Sequence, residues 1–101
     1  LDMREKEKAV VVSQECIGTG IYSMIIKTKA ADSAVAGQFV SIYCKDKTKL
    51  LPRPISICEI DKKNGTIRIV YRVVGGGTEE MSGYKSGDGI DLCSVKIKKL
   101  F

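Results

Sequence analysis

Arg53 stands between Pro52 and Pro54, and Ser56 follows close behind. Proline fixes its own φ and pushes the residue before it into extended backbone, so this arginine is presented from a stiff, non-helical segment. Its guanidinium is aimed before any ligand arrives. Further along, Gly75, Gly76 and Gly77 lead into Thr78 and a helix-compatible run over 79–84. Glycines let a backbone come close to a ligand, and the unpaired N–H groups of a helix start favour negative charge. A guanidinium fork matches phosphate oxygens in the same way. The stretch 50–78 holds both prolines and these glycines, and it points to phosphate chemistry.

The remaining composition says what other chemistry is open. The chain has no histidine, which removes histidine-based acid–base and metal chemistry, and its net charge of +5 suits an anionic partner of any kind. The four cysteines, Cys16, Cys44, Cys58 and Cys93, are widely spaced, without the close pairs used for zinc or iron–sulfur ligation. They are read as reduced thiols, several of them buried in strands as small hydrophobes. At 101 residues the chain is one ordinary domain. No apolar run reaches the roughly 20 residues needed to cross a bilayer, and the charged start does not resemble a signal peptide. A cytoplasmic protein is expected.

These residues must be positioned by strands. A charged lead over 1–8 gives way to the β-branched run Val10-Val11-Val12, read as a strand over 9–15. Gly18 and Gly20 flank Thr19 as a hairpin turn into a second strand over 21–28. The span 29–37 reads as a loop crossing the barrel, followed by a third strand over 38–44 and a polar tip over 45–49. A fourth strand covers 53–60, and the Asn64-Gly65 pair turns it into a fifth. There the alternation is clear: Ile67, Ile69, Tyr71 and Val73 share one face, and Arg68, Val70 and Arg72 the other. After the short helix, Gly87-Asp88-Gly89 turns into a last strand over 90–97. The fold class expected is all-β: a six-stranded antiparallel Greek-key barrel, with one short helix before the last strand.

Arg53-Pro54-Ile55-Ser56, the strand Ile69-Val70-Tyr71-Arg72-Val73, and Gly76-Gly77-Thr78 followed by a helix and Gly87-Asp88 together resemble the FAD-binding domain of the ferredoxin reductase superfamily. Within it the chain is most similar to the electron-transfer subunits of the NAD-linked, two-subunit (class 1B) bacterial dihydroorotate dehydrogenases. The resemblance implies a flavin-binding barrel. In that family FAD relays electrons between a 2Fe-2S cluster and NAD during dihydroorotate oxidation, a step of pyrimidine biosynthesis, and the partner is an FMN-containing catalytic subunit. By the same resemblance Arg53 pairs with the pyrophosphate, Pro54 and Ile55 belong to the same cofactor-binding element, and Ser56 hydrogen-bonds near the reactive N5 edge as the catalytic residue. The backbone of Val70, Tyr71 and Arg72 lies along the isoalloxazine, while Gly76, Gly77 and Thr78 hold the phosphates.

Two details stand against this picture: strict alternation puts Arg53 and Ser56 on opposite faces, and Glu79 and Glu80 stand beside the phosphates. Each residue also has a plain structural role open to it, with Arg53 covering a barrel end, the glycines turning the chain and Thr78 capping the helix. After Asp91-Leu92 the family continues into a Gly-Pro-Leu-Gly junction, a nucleotide-binding domain and a cysteine cluster, whereas this sequence reads Cys93-Ser94-Val95-Lys96-Ile97. The barrel is therefore expected to span 9–97 with a tail over 98–101. The NAD-binding and iron–sulfur parts are expected to be absent, and the chain alone inactive. No metal, nucleic-acid or membrane partner is expected, and an oligomer is left open. The competing reading is a non-enzymatic basic barrel that binds a protein or single-stranded nucleic acid, for which the chain offers few aromatics.

Overall fold

The computed structural model describes residues 2–35, 37–45 and 53–97, with side chains described for 7–35, 37–45 and 54–94. Its strands are β1 (Asp2–Gly18), β2 (Ile21–Lys27), β3 (Phe39–Tyr43), β4 (Arg53–Asp61), β5 (Thr66–Arg72) and β6 (Gly89–Ile97). A 3-10 turn over Lys29–Asp32 follows β2, and an α-helix, α1 (Gly76–Ser82), precedes β6. The strands close into an antiparallel barrel in the order β1-β2-β5-β4-β3-β6. The last strand returns to lie between β1 and β3, which is the long connection of a Greek key.

Alternation sets the inside of the barrel as the sequence indicates. Ile67, Ile69 and Tyr71 of β5 are buried, and they meet Met24, Ile26, Val40, Ile42, Ile57 and Leu92 from the other strands. Both mouths are closed. Met81 and Tyr84, on and just after α1, join the core at one end, while Ala30, Ala31 and Ala34 in and after the 3-10 turn fill the other. With its interior packed, this barrel offers a ligand its outer wall and its rims.

Several boundaries depart from the sequence reading. The charged lead is not outside the barrel, because from Asp2 it belongs to β1, and Asp2 to Val10 pair with β6 from Ile97 to Gly89. Strand pairing uses backbone groups, so charged side chains do not prevent it, and leaving β6 unpaired would expose an edge. Thr28 leaves the second strand to cap the 3-10 turn, its hydroxyl accepting the Ala30 N–H at 3.1 Å. The crossing over 29–37 is thus partly helical. Of the cysteines, all free, only Cys93 is buried, whereas Cys16 and Cys58 are exposed. Most of the polar tip and the tail over 98–101 lie outside the described residues.

The helix also begins earlier than expected, at Gly76. Thr78 Oγ1 accepts the N–H groups of Val74 at 2.8 Å and Gly75 at 3.1 Å, and donates to the Gly75 carbonyl at 3.0 Å. The Glu79 N–H then reaches the Gly75 carbonyl at 2.9 Å. These bonds draw Gly76 and Gly77 into the first turn, which gives the run 79–84 a glycine start that helix propensity disfavours.

Candidate functional site

Antiparallel pairing brings the residues singled out above to one end of the barrel. β4 begins at Arg53 at the end of the barrel where β5 finishes at Arg72, and β3 finishes at Tyr43 beside the start of β4. The chain then passes from Arg72 through Val73 to α1, with the Val73 N–H bonded to the Gly20 carbonyl at 2.8 Å. Contact between Cys44 and Gly77 ties this end together, the Cys44 thiol lying 3.8 Å from the Gly77 carbonyl oxygen.

Register sorts the residues by face. Arg53 pairs with Ile42, whose side chain is in the core, and Ser56 pairs with the exposed Phe39. Ser56 thus stands on the outer side of β4, and Arg53 begins the strand at the rim; the Arg53 side chain lies outside the described residues. Pro54 and Ser56 are exposed on the outer wall, while the Ile55 side chain packs against the core and leaves only its backbone for a ligand. On β5 the same division holds. Tyr71 is buried inside, Arg72 is exposed, and Val70 is half-buried on the outer side. The outer wall near this end is thus made of backbone, Pro54, Ser56, Val70 and Arg72.

The glycine-rich turn is open at one glycine and tight at another. A β-carbon on Gly75 would meet nothing within 4 Å, and one on Gly77 would lie 3.3 Å from Cys44 Sγ. The objection raised by the acidic pair is met for Glu80. Its carboxylate is turned back to accept the Lys45 N–H at 2.7 Å and the Tyr84 hydroxyl, away from the helix start. Lys45 adds a cation–π contact, with Nζ 5.2 Å from the Tyr84 ring centroid. The Thr78 hydroxyl is taken up by the loop itself, so only its backbone N–H is left to face a ligand.

Behind this face lies a residue that sequence reasoning missed. Gln14, inward on β1 opposite Met24, donates through Nε2 to the carbonyls of Met81 and Tyr84, each at 2.9 Å, and accepts from the Tyr71 hydroxyl. It joins β1, β5 and the C-terminal end of α1. Tyr71 also stacks on Tyr22, with ring centroids 5.9 Å apart. Burial, and next the charge of Tyr22, raises the Tyr71 hydroxyl above its ordinary pKa, so it stays a donor to Gln14. Burial also raises Tyr84, followed by its bond to Glu80 and that carboxylate's charge. A polar residue inside a strand was the available signal, but a bulge between Val11 and Ser13 shifts the alternation and hides which face Gln14 takes.

A packed six-stranded barrel of this strand order, with a short helix before the last strand and a rim built from β4, β5 and a glycine-rich turn, is a ferredoxin-reductase-like barrel. Solved structures agree. The NADH-dependent reduced ferredoxin-NADP oxidoreductase, described for flavin-based electron bifurcation, matches with a TM-score of 0.72 and 29% identity over 80% of this chain and 29% of that one. Phthalate dioxygenase reductase matches with a TM-score of 0.72 over 92% of this chain and 30% of that one, at 16% identity, a likeness of fold. No protein-family model matches the sequence.

In sequence the chain is 43% identical over 86 residues to the dihydroorotate dehydrogenase B (NAD(+)) electron transfer subunit of Streptococcus mutans, covering 85% of this chain and 33% of that subunit. It is 38% identical over 90 residues to the subunit of the same name from Enterococcus faecalis, covering 88% of this chain and 34% of that protein. The chain thus spans about a third of the length of the relatives it matches, and it is homologous to that third of the dihydroorotate dehydrogenase B electron transfer subunit.

Proposed function

We propose that this chain is the FAD-binding module of an electron-transfer subunit that relays electrons between an iron–sulfur cluster and NAD in dihydroorotate oxidation. The observation that carries the reading is the convergence of the starts of β4 and α1 with the end of β5 at one rim, beside a flat outer wall. The electron-transfer names of the relatives support it over a basic barrel for nucleic acid. Bound FAD supplies a centre that takes electrons singly or in pairs, which a cluster on one side and a hydride carrier on the other require.

The chain's own residues divide the binding. The Arg53 guanidinium pairs with the pyrophosphate from the rim, and the N–H groups of Gly76, Gly77 and Thr78 face the phosphates. On the wall, Ser56 Oγ donates a hydrogen bond at the N5 edge, with Pro54 and Ile55 fixing the approach of β4. The backbone of Val70, Tyr71 and Arg72 supports one ring face and keeps water from it. Gln14 and Glu80 hold α1 in place from behind. NAD and the 2Fe-2S cluster are assigned to parts of the relatives outside this match, and an FMN-containing, dihydroorotate-oxidising subunit in the bacterial cytoplasm is the partner. No helix among the described residues is long and apolar enough to cross a membrane.

Arg53→Lys tests the clamp. Lysine keeps the charge and loses the bidentate fork, so FAD affinity measured by calorimetry falls roughly ten- to hundredfold while the apo melting midpoint stays put. Unchanged affinity with a lowered apo midpoint would assign Arg53 to packing instead.

A further inference from the structure

Phe39 opens β3, 41% exposed on the outside of the barrel, a position the packed core does not need. Its direct partner across the β3–β4 pair is Ser56, also exposed. The β4–β5 pairing runs as far as Ile57–Ile69, and Ser56 and Val70 are the next residues of the two strands beyond it. Phe39 and Ser56 therefore form one row on the outer face, and Val70 lies on the outer side of the neighbouring strand β5. Two inter-strand steps span roughly 9–10 Å, a width that a tricyclic ring system covers.

On β3 and β4 the neighbours of the Phe39–Ser56 pair are low. Ser41 and Pro54 pair on the same face one row nearer the rim, and neither rises far above the sheet. Small side chains make a flat floor there, and Phe39 is a large, exposed apolar side chain at its edge. Ligand sites for planar aromatics commonly combine such a floor with an aromatic wall, because offset or edge contacts between rings add to the burial of both. An exposed phenylalanine beside Ser56 gains most from being covered by a ring lying on Ser56.

We propose that Phe39 is the aromatic wall of the isoalloxazine site, in contact with the ring system at the end away from the Val70, Tyr71 and Arg72 backbone. This rests on the flavin reading above. It adds a residue that sets the position of the ring and discriminates a flavin from the adenosine half of the same cofactor. The Phe39 contact reaches the ring alone, so it leaves the phosphate end untouched.

The experiment titrates the apo protein and its Phe39→Ala and Phe39→Tyr variants with FAD and, separately, with ADP, following flavin fluorescence and absorbance as well as affinity. Phe39→Ala is expected to weaken FAD about five- to tenfold, to shift the bound-flavin absorption band and to leave ADP binding and the apo melting midpoint unchanged. Phe39→Tyr is expected to keep FAD affinity near wild type. Equal FAD affinity and an unmoved flavin spectrum in Phe39→Ala, beside clear FAD binding by the wild type, would overturn the wall while leaving the flavin reading standing. A matched loss for FAD and ADP would make Phe39 a structural residue, and a change in sedimentation alone would assign it to contact between copies. Absence of FAD binding by the wild type would sink the flavin reading and this inference with it.

Discussion

Gly77 stands directly against Cys44, since a β-carbon built on it would lie 3.3 Å from the Cys44 sulfur. That is tighter than an ordinary contact, so the start of α1 is seated against the Cys44 side chain just after β3, and a methyl group there requires a shift of a few tenths of an ångström. Gly77→Ala must push the helix start outward or turn the thiol aside. FAD affinity is expected to fall several-fold, with an apo destabilisation of about 1 kcal/mol. Gly75→Ala, where nothing lies within 4 Å, is expected to bind FAD as the wild type does. Adding Cys44→Ala to Gly77→Ala should restore part of the loss, and titration of the four proteins checks this order.

Gln14 links strand wall to helix through three hydrogen bonds, and its loss leaves the Met81 and Tyr84 carbonyls and the Tyr71 hydroxyl without that partner. A buried polar group left unsatisfied costs about 1–3 kcal/mol, so Gln14→Leu is expected to cost about 2 kcal/mol or more in urea unfolding. Gln14→Glu keeps an acceptor for Tyr71 and loses both donors. Its stability should fall short of wild type, and FAD affinity should drop in both variants as α1 loosens. A Gln14→Leu protein as stable as wild type would remove this bridge from the account.

The barrel was legible where side-chain alternation is strict. Ile67, Ile69 and Tyr71 announce an inward face and are buried, and Asn64-Gly65 announces a hairpin, with Gly65 at φ 69° and Asp61 accepting the Asn64 N–H at 3.1 Å. What the sequence concealed depends on partners distant along the chain. Asp2 to Lys8 have a strand's pairing only because β6 lies beside them, and nothing in their charged side chains reports it. Gln14 and Glu80 meet their partners across gaps that no local pattern spans. The helix start moved to Gly76 because one hydroxyl, that of Thr78, gathers two N–H groups, a tertiary choice that overrides glycine's low helix propensity.

Tyr71 and Tyr84 give the fold an alkaline limit. Burial is the leading cause of both shifts, and each folded-state pKa is raised from the ordinary 10.0. A raised folded pKa means the folded state holds its proton longer than the unfolded one. The associated stability is complete below pH 10.0 and is lost as pH rises through the folded values. Denaturant midpoints measured on either side of that pH should fall only on the alkaline side, and the fall should be shallower in Tyr84→Phe. A slope in Tyr84→Phe identical to wild type would leave Tyr84 out of the alkaline loss.

Flavin content is the most direct measure of the central claim. The protein is purified, its visible spectrum taken, and the supernatant after denaturation analysed for flavin; a colourless preparation is then titrated with FAD. On that claim, either yellow protein releasing FAD or an apo form that binds added FAD with a shifted absorption band is expected. A colourless protein that leaves added FAD unchanged, yet retards a single-stranded oligonucleotide in a salt-dependent way, would contradict it.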